Sequence, residues 1–286
     1  MSTPMTASQI KAQLKKWDVP FKEYKSWSTH NRGNRGTGWG PVNGFMVHHT
    51  GSDGADQRSY LYNGSSALPG PLCHFNIDSS GTVHLIGWGR ANHAGGGDPN
   101  VFNKVVSENY SGILKPHYHE GSSGAMDGNS RFYGVEIGYS GNHGMTASQY
   151  SSLLKLSAAI CDFHGWSSKS VIAHGEWSDW KWDPGYAPSK MMDMNAVRND
   201  ISDTLNHKNS GKADPVAVDP IDKKSTTYKQ VWEADSATPP AGHATKENPT
   251  WWPMSILTGA YEKAEAAYKN TEEILKRLDA LEKKVK

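Results

Sequence analysis

Ile10, Leu14 and Trp17 fall at helical spacing and predict a short amphipathic helix over residues 6–17. Residues 44–49 (Gly-Phe-Met-Val-His-His) read as a buried strand that ends in two histidines. Residues 73–77 and 82–86 read as two strands joined by the turn Asp78-Ser79-Ser80-Gly81, and residues 133–139 as a further strand. Thr146, with Gln149 three residues on, opens a helix through a capping box. That helix carries Leu153, Leu156, Ile160 and Phe163 and stops at Gly165. Residues 170–173 predict a short strand running into His174, and residues 188–206 a last helix. Strands interspersed with helices predict an α/β domain over residues 1–207.

The pattern then changes. Pro215, Pro220, Pro239, Pro240 and Pro249 punctuate a polar stretch, so residues 208–250 read as a linker. Over residues 251–286 helical periodicity returns, with Leu257, Ala260, Ala264, Ala267, Thr271, Ile274, Leu278, Leu281 and Val285 at alternating spacings of three and four. Such an a/d seam predicts a coiled coil and hence a homo-oligomer. Helix packing on the α/β domain, or contact with another surface through Trp251 and Trp252, is the alternative. No internal repeat is visible.

Charge narrows the partners. Lys plus Arg total 30 against 29 Asp plus Glu, without the basic excess of a nucleic-acid binder. No stretch is apolar for long enough to span a membrane, so membrane insertion is not expected. Residues 1–17 lack an apolar run after a basic segment and so do not read as a secretory signal. If the substrate lies outside the cytoplasm, the protein would then need another route of release. Cys73 and Cys161 are the only cysteines, which excludes a disulfide framework and four-cysteine zinc sites. With 13 histidines, a metal site here would be built from imidazole and carboxylate.

Two such clusters stand at strand ends. His48 and His49 close one strand, and because successive strand residues face opposite ways only one of them can enter a shared site. His174 closes another, and Asp183 follows in Lys181-Trp182-Asp183-Pro184-Gly185. Two imidazoles and a carboxylate can hold zinc and leave a fourth position for water. On spacing alone, a hydrogen-bonded core histidine and a turn-forming aspartate account for the same residues.

The segments VHHT (47–50), PLCHFNIDSSGTVHLIGWGRANHAG (71–95), YGVEIG (133–138) and AHGEWSDWKWDPG (173–185), in this order, resemble the zinc-dependent N-acetylmuramoyl-L-alanine amidases, whose fold peptidoglycan recognition proteins share. The resemblance covers roughly residues 35–205 and is nearest to lysins of actinobacteria and their phages. It implies a mixed central β-sheet flanked by helices, and hydrolysis of the amide between N-acetylmuramic acid and L-alanine of bacterial peptidoglycan. It implies Zn2+ on His48, His174 and Asp183, Glu136 as the acid–base residue and Lys181 as the oxyanion partner. His49 falls beside the first ligand, and His93 in a stretch that lines the substrate groove. Cys73 stands where many members carry tyrosine, which places more weight on Lys181. His49, His93, Cys73 and Trp177 are the expected substrate-side residues; Trp177, Trp180 and Trp182 are candidates to wall the cleft or stack on sugars, with plain packing as the alternative. Residues 98–130 exceed the usual loop length and are read as a loop bordering the cleft, with His117 and His119 on it. The resemblance further implies a phage endolysin made in the host cytoplasm and released by a holin. A non-catalytic recognition module is the other reading; such modules lose metal ligands, and here all three are present. No HExxH supports a metallopeptidase on another scaffold.

Overall fold

In the computed structural model, which describes residues 2–33, 38–54 and 56–209, the elements run α1 (Ala7–Lys16), β1 (Phe21–Glu23), β2 (Phe45–His49), α2 (Arg58–Asn63), β3 (Phe75–Ile77), β4 (Val83–Leu85), β5 (Gly96–Gly97), α3 (Pro99–Ser107), β6 (Met126–Asp127), β7 (Tyr133–Ile137), α4 (Ala147–His164), β8 (Val171–Ala173), α5 (His174–Trp177), β9 (Gly185–Ala187), β10 (Lys190–Met191) and α6 (Met194–Asn209). The expected linker beyond residue 209 and the expected helix over 251–286 lie outside the described residues.

Six strands pair in the order β1-β4-β3-β7-β2-β8. β3, β7, β2 and β8 run parallel, while β4 is antiparallel to β3 and parallel to β1. The sheet is therefore mixed. The reversal between β3 and β4 uses the expected turn: the Asp78 carboxylate accepts from the Ser80 and Thr82 amides, and Gly81 takes a φ of +86°.

Strand alternation sorts the side chains into two faces. Phe45 and Val47, Phe75 and Ile77, and Val135 and Ile137 join one core with Ile10 and Leu14 of α1, Leu153, Leu156 and Ile160 of α4, and Val197 and Ile201 of α6. On the other face Met46 and Ile172 pack with Phe132, Trp177 and the α3 residues Val101, Phe102 and Val105. The same face carries a polar row. The register pairs His84 with Asn76, Asn76 with Glu136 and Glu136 with His48, so four strands each contribute one polar residue to the row.

The capping signals operate as expected. Thr146 Oγ1 accepts from the Gln149 amide, the Gln149 side chain accepts from the Thr146 amide, and Gly165 ends α4 at φ +68°. Thr6 and Gln9 make the same box at α1. Phe163, expected on the apolar face of α4, is 37% exposed, because Cys161 is the buried residue of the last turn and half-buried His164 stacks on Trp166.

Two expected spans are corrected. Residues 98–130 are not one loop: Asp98 caps α3 by accepting from the Asn100 amide, Pro99 occupies the first turn, and Asp98 also accepts from the His117 amide further on. The last helix starts at Met194 rather than residue 188, because β9 and β10 pair over residues 185–191 and Asp193 accepts from the Asn195 and Ala196 amides. Glu176 of α5 is fully buried, paired with Arg198 of α6 at 2.9 Å, and accepts from the Ala173 and Leu114 amides. Among the described residues no helix is long and apolar enough to cross a membrane.

Candidate active site

β2, β7 and β8 are parallel, and His48, Glu136 and His174 stand at or just beyond their C-terminal ends. In sheets of this kind that edge is where ligands bind. Asp183 arrives from the loop after α5, which the Gly175 amide ties down by donating to the Asp183 carbonyl at 3.0 Å.

Three atoms meet there. His48 Nδ1 lies 2.9 Å from Asp183 Oδ2 and 3.0 Å from His174 Nδ1, and His174 Nδ1 lies 3.0 Å from the same oxygen. Among the described residues this is the group of His, Cys, Asp or Glu side chains whose atoms are close enough to share one ion. Burial, and then the neighbouring His174, push the His48 imidazole down to about 4, so it is neutral near pH 7. Burial alone would raise the Asp183 carboxyl, but the His174 and His48 imidazoles beside it hold it well below the usual range. His48 therefore presents a neutral nitrogen and Asp183 an anionic oxygen, the protonation states in which such groups bind metal.

Glu136 stands next to His48 across the sheet. Its Oε2 is buried without a hydrogen-bond partner, and burial, reinforced by Asp183 and opposed by Lys181, raises its carboxyl well above the ordinary value. Two adjoining depressions meet at the trio and share Leu68, Asn92, His93, His174 and Lys181. One extends over Gly95, Glu120, Asn129 and Trp180, the other over Thr50, Gln57, Tyr60 and Glu136. Lys181 is exposed and lines both.

The expected substrate-side residues divide. His93 lines both depressions, with Nδ1 3.1 Å from His48 Nε2. His49 borders one, but its Nδ1 accepts from the Gly185 amide and its ring packs on Trp182 at 4.7 Å. Cys73 and Trp177 are corrected. Cys73 is completely buried among Leu61, Leu72 and Ile86, so its thiol is closed off from substrate. Trp177 is 0% exposed, with its ring against Phe132 at 5.1 Å. It fills the second core. Trp180, by contrast, is 58% exposed on the cleft rim and packs against His119 at 4.6 Å. His119 itself pairs with Asp179 at 3.0 Å. Sequence reasoning missed Tyr60 and Leu68 as cleft residues, and placed Asn92, Glu120 and Asn129 only within stretches expected to line or border the cleft. Leu68 lies in an irregular segment and Tyr60 in the six-residue α2, too short for a clear period, and the signal for them is exposure (46% and 52%), which only the fold reveals.

The family model described as N-acetylmuramoyl-L-alanine amidase matches residues 38–186, more than half of the 286-residue chain, and spans every residue of the trio, Glu136 and Lys181. Among solved structures the chain is similar to the endolysin amidase LysCS of Clostridium intestinale (18% identity, 58% of this chain and 88% of that one, TM-score 0.39). It is also similar to the Staphylococcus aureus hydrolase AmiA in complex with its ligand (15% identity, 74% and 97% covered, TM-score 0.41). A third is the Drosophila peptidoglycan recognition protein SD (14% identity, 62% and 99% covered, TM-score 0.37). No curated protein matches the chain. It is the match over residues 38–186, laid on a mixed sheet with the motif residues gathered at one edge, that settles the assignment: the chain belongs to the N-acetylmuramoyl-L-alanine amidase family.

Proposed function

We propose that this amidase works with one zinc ion held by His48, His174 and Asp183, and that it cuts the amide between the lactyl group of N-acetylmuramic acid and the L-alanine of the stem peptide. The observation that carries the reading is the convergence of His48 Nδ1, His174 Nδ1 and Asp183 Oδ2 to 3.0 Å or less beside a buried, unpartnered Glu136 oxygen. Two imidazoles and one carboxylate suit zinc by donor type and by number, since a catalytic zinc keeps three protein ligands and one open position. The outer contacts agree with this. His174 Nε2 lies 3.2 Å from the Ala94 carbonyl, to which it donates, and its Nδ1 is thereby left with a free lone pair.

When bound, zinc supplies Lewis acidity, which makes water acidic near neutral pH and polarises a carbonyl. The remaining work falls to the chain. Glu136, with its raised proton affinity, accepts the proton of the attacking water and delivers it to the departing amine. Lys181, on the open side of the site, meets the negative charge that grows on the carbonyl oxygen. Trp180 and Tyr60, exposed at opposite ends of the cleft, offer flat apolar surfaces to the glycopeptide. A buried carboxyl oxygen left without a hydrogen-bond partner is costly in a protein that only binds, which favours catalysis over the recognition-module reading.

Elemental analysis tests the metal: we expect one zinc per chain and its loss in His48→Ala. Full wall lysis by metal-free protein contradicts the proposal. We further propose delivery as a phage endolysin, on the resemblance of the four motifs to phage lysins. Production in a bacterial host without a holin-type partner then leaves cells intact, and prompt lysis by this chain alone contradicts it.

A further inference from the structure

We infer that His93 is a positioning residue that sets the tautomer of the metal ligand His48, an inference that rests on the zinc reading above. The assignment follows from which atoms can only accept. His93 Nε2 lies 3.3 Å from the Phe132 carbonyl oxygen, so Nε2 carries the hydrogen. A neutral imidazole has a single N–H, which leaves His93 Nδ1 as an acceptor. That nitrogen is 3.1 Å from His48 Nε2, which must therefore donate. The lone pair of His48 then sits on Nδ1, the atom 2.9 Å from Asp183 Oδ2 and 3.0 Å from His174 Nδ1. A ligating histidine usually gives its second N–H to a carboxylate, a backbone carbonyl or water. Here an imidazole stands between the ligand and the carbonyl and passes the polarity on.

The surroundings hold His93 in this position. Asn129 Oδ1 accepts from the amides of His93, Ala94 and Gly95 at 2.9, 2.8 and 3.2 Å. The residue after His93 is Ala94, whose carbonyl is the outer partner of His174. One anchored loop thus sets both imidazoles of the trio. β7 leaves room for the ring at Gly134, where a Cβ would lie 2.4 Å from His93 Nδ1. The rings of His48 and His93 meet edge to face, with centroids 5.3 Å apart at 89°.

The test measures zinc affinity of the full chain by competition with a chromophoric chelator, for the unaltered protein, His93→Leu and His93→Asn. Asparagine keeps an acceptor near the position of Nδ1; leucine does not. We expect His93→Leu to weaken zinc binding about 10–100-fold, the usual cost of losing an outer partner, and His93→Asn to recover most of it. Equal affinity in all three, with only the KM for wall fragments raised, makes His93 a groove residue and overturns the inference. Failure of the unaltered chain to bind zinc overturns the metal reading beneath it instead. Nitrogen chemical shifts of the histidines in the zinc-free, unaltered protein give a readout that no folding defect can confuse. His48 protonated on Nε2 is expected, and His48 protonated on Nδ1 contradicts the assignment.

Discussion

Val135 and Ile137 bury their side chains in the core shared with α4, and strand alternation therefore turns Glu136, between them, to the face where His48 stands. That placement predicts its behaviour. Glu136→Gln keeps the shape and the metal but cannot shuttle a proton, so turnover should fall about 10²–10⁴-fold with zinc content unchanged. Single-turnover assays alongside elemental analysis check this, and normal turnover would make Glu136 structural. His74 makes a separate pH prediction. It is fully buried, accepts from the Gly134 amide and donates to the Gly89 carbonyl. Burial lowers its imidazole from 6.5 to about 4. Between those values the unfolded chain binds the extra proton and the folded one does not, so stability is lost as pH falls from about 6.5 to about 4. The loss is on the order of 3 kcal/mol over the window, at about 1.4 kcal/mol per unit. Denaturant titrations should show a shallower acid slope for His74→Gln than for the unaltered protein; equal slopes contradict the assignment. At this scale the sequence revealed the trio through motif order, and strand parity revealed that only one of His48 and His49 could enter the site. It did not reveal that Cys73 and Trp177 are sealed off, because their cover comes from Leu61, Ile86, Phe132 and Val101, residues remote in the chain.

At the scale of elements, the long periodic segments were legible and the short ones were not. α1 and α4 carry capping boxes and apolar spacing that can be read from neighbouring residues in the chain. β1 and α2 are short, and their pairing or packing partners, β4 and Leu72, arrive from elsewhere. α3 was readable: Asp98 and Pro99 are a helix start, and Val101, Phe102 and Val105 are helically spaced. The polar row was also written in the strands, as Phe-Asn-Ile, Val-His-Leu and Val-Glu-Ile, but which residues line up depends on register. α5 is only four residues long, yet it presents His174, and its hold on the domain is the buried Glu176–Arg198 pair. Removing one partner leaves an uncompensated buried charge. Glu176→Ala should therefore cost about 3–5 kcal/mol and weaken zinc binding as His174 loses its seat. Urea unfolding and chelator competition report the two effects, and a change under about 1 kcal/mol would show that α5 is held by other contacts.

For the molecule as a whole, the parallel strands gather the chemistry at one edge, and the cleft runs across that edge between Tyr60 and Trp180. The C-terminal seam from Leu257 to Val285 lies outside the described residues, and its self-association remains a proposal. Several catalytic domains joined that way would meet one patch of wall at raised effective concentration. Sedimentation equilibrium should give an oligomer for the full chain and a monomer for a truncation ending near residue 207. A monomeric full chain at micromolar concentration contradicts the coiled coil. The central claim is zinc-dependent cleavage at the lactyl amide, and it is most directly tested by mass spectrometry of the products released from purified cell walls. Zinc-loaded protein should release stem peptides beginning at L-alanine and leave intact glycan strands. A chelator should abolish that release, and added zinc should restore it. Release that persists undiminished in the chelator, or products cut within the glycan or within the peptide, would contradict the account.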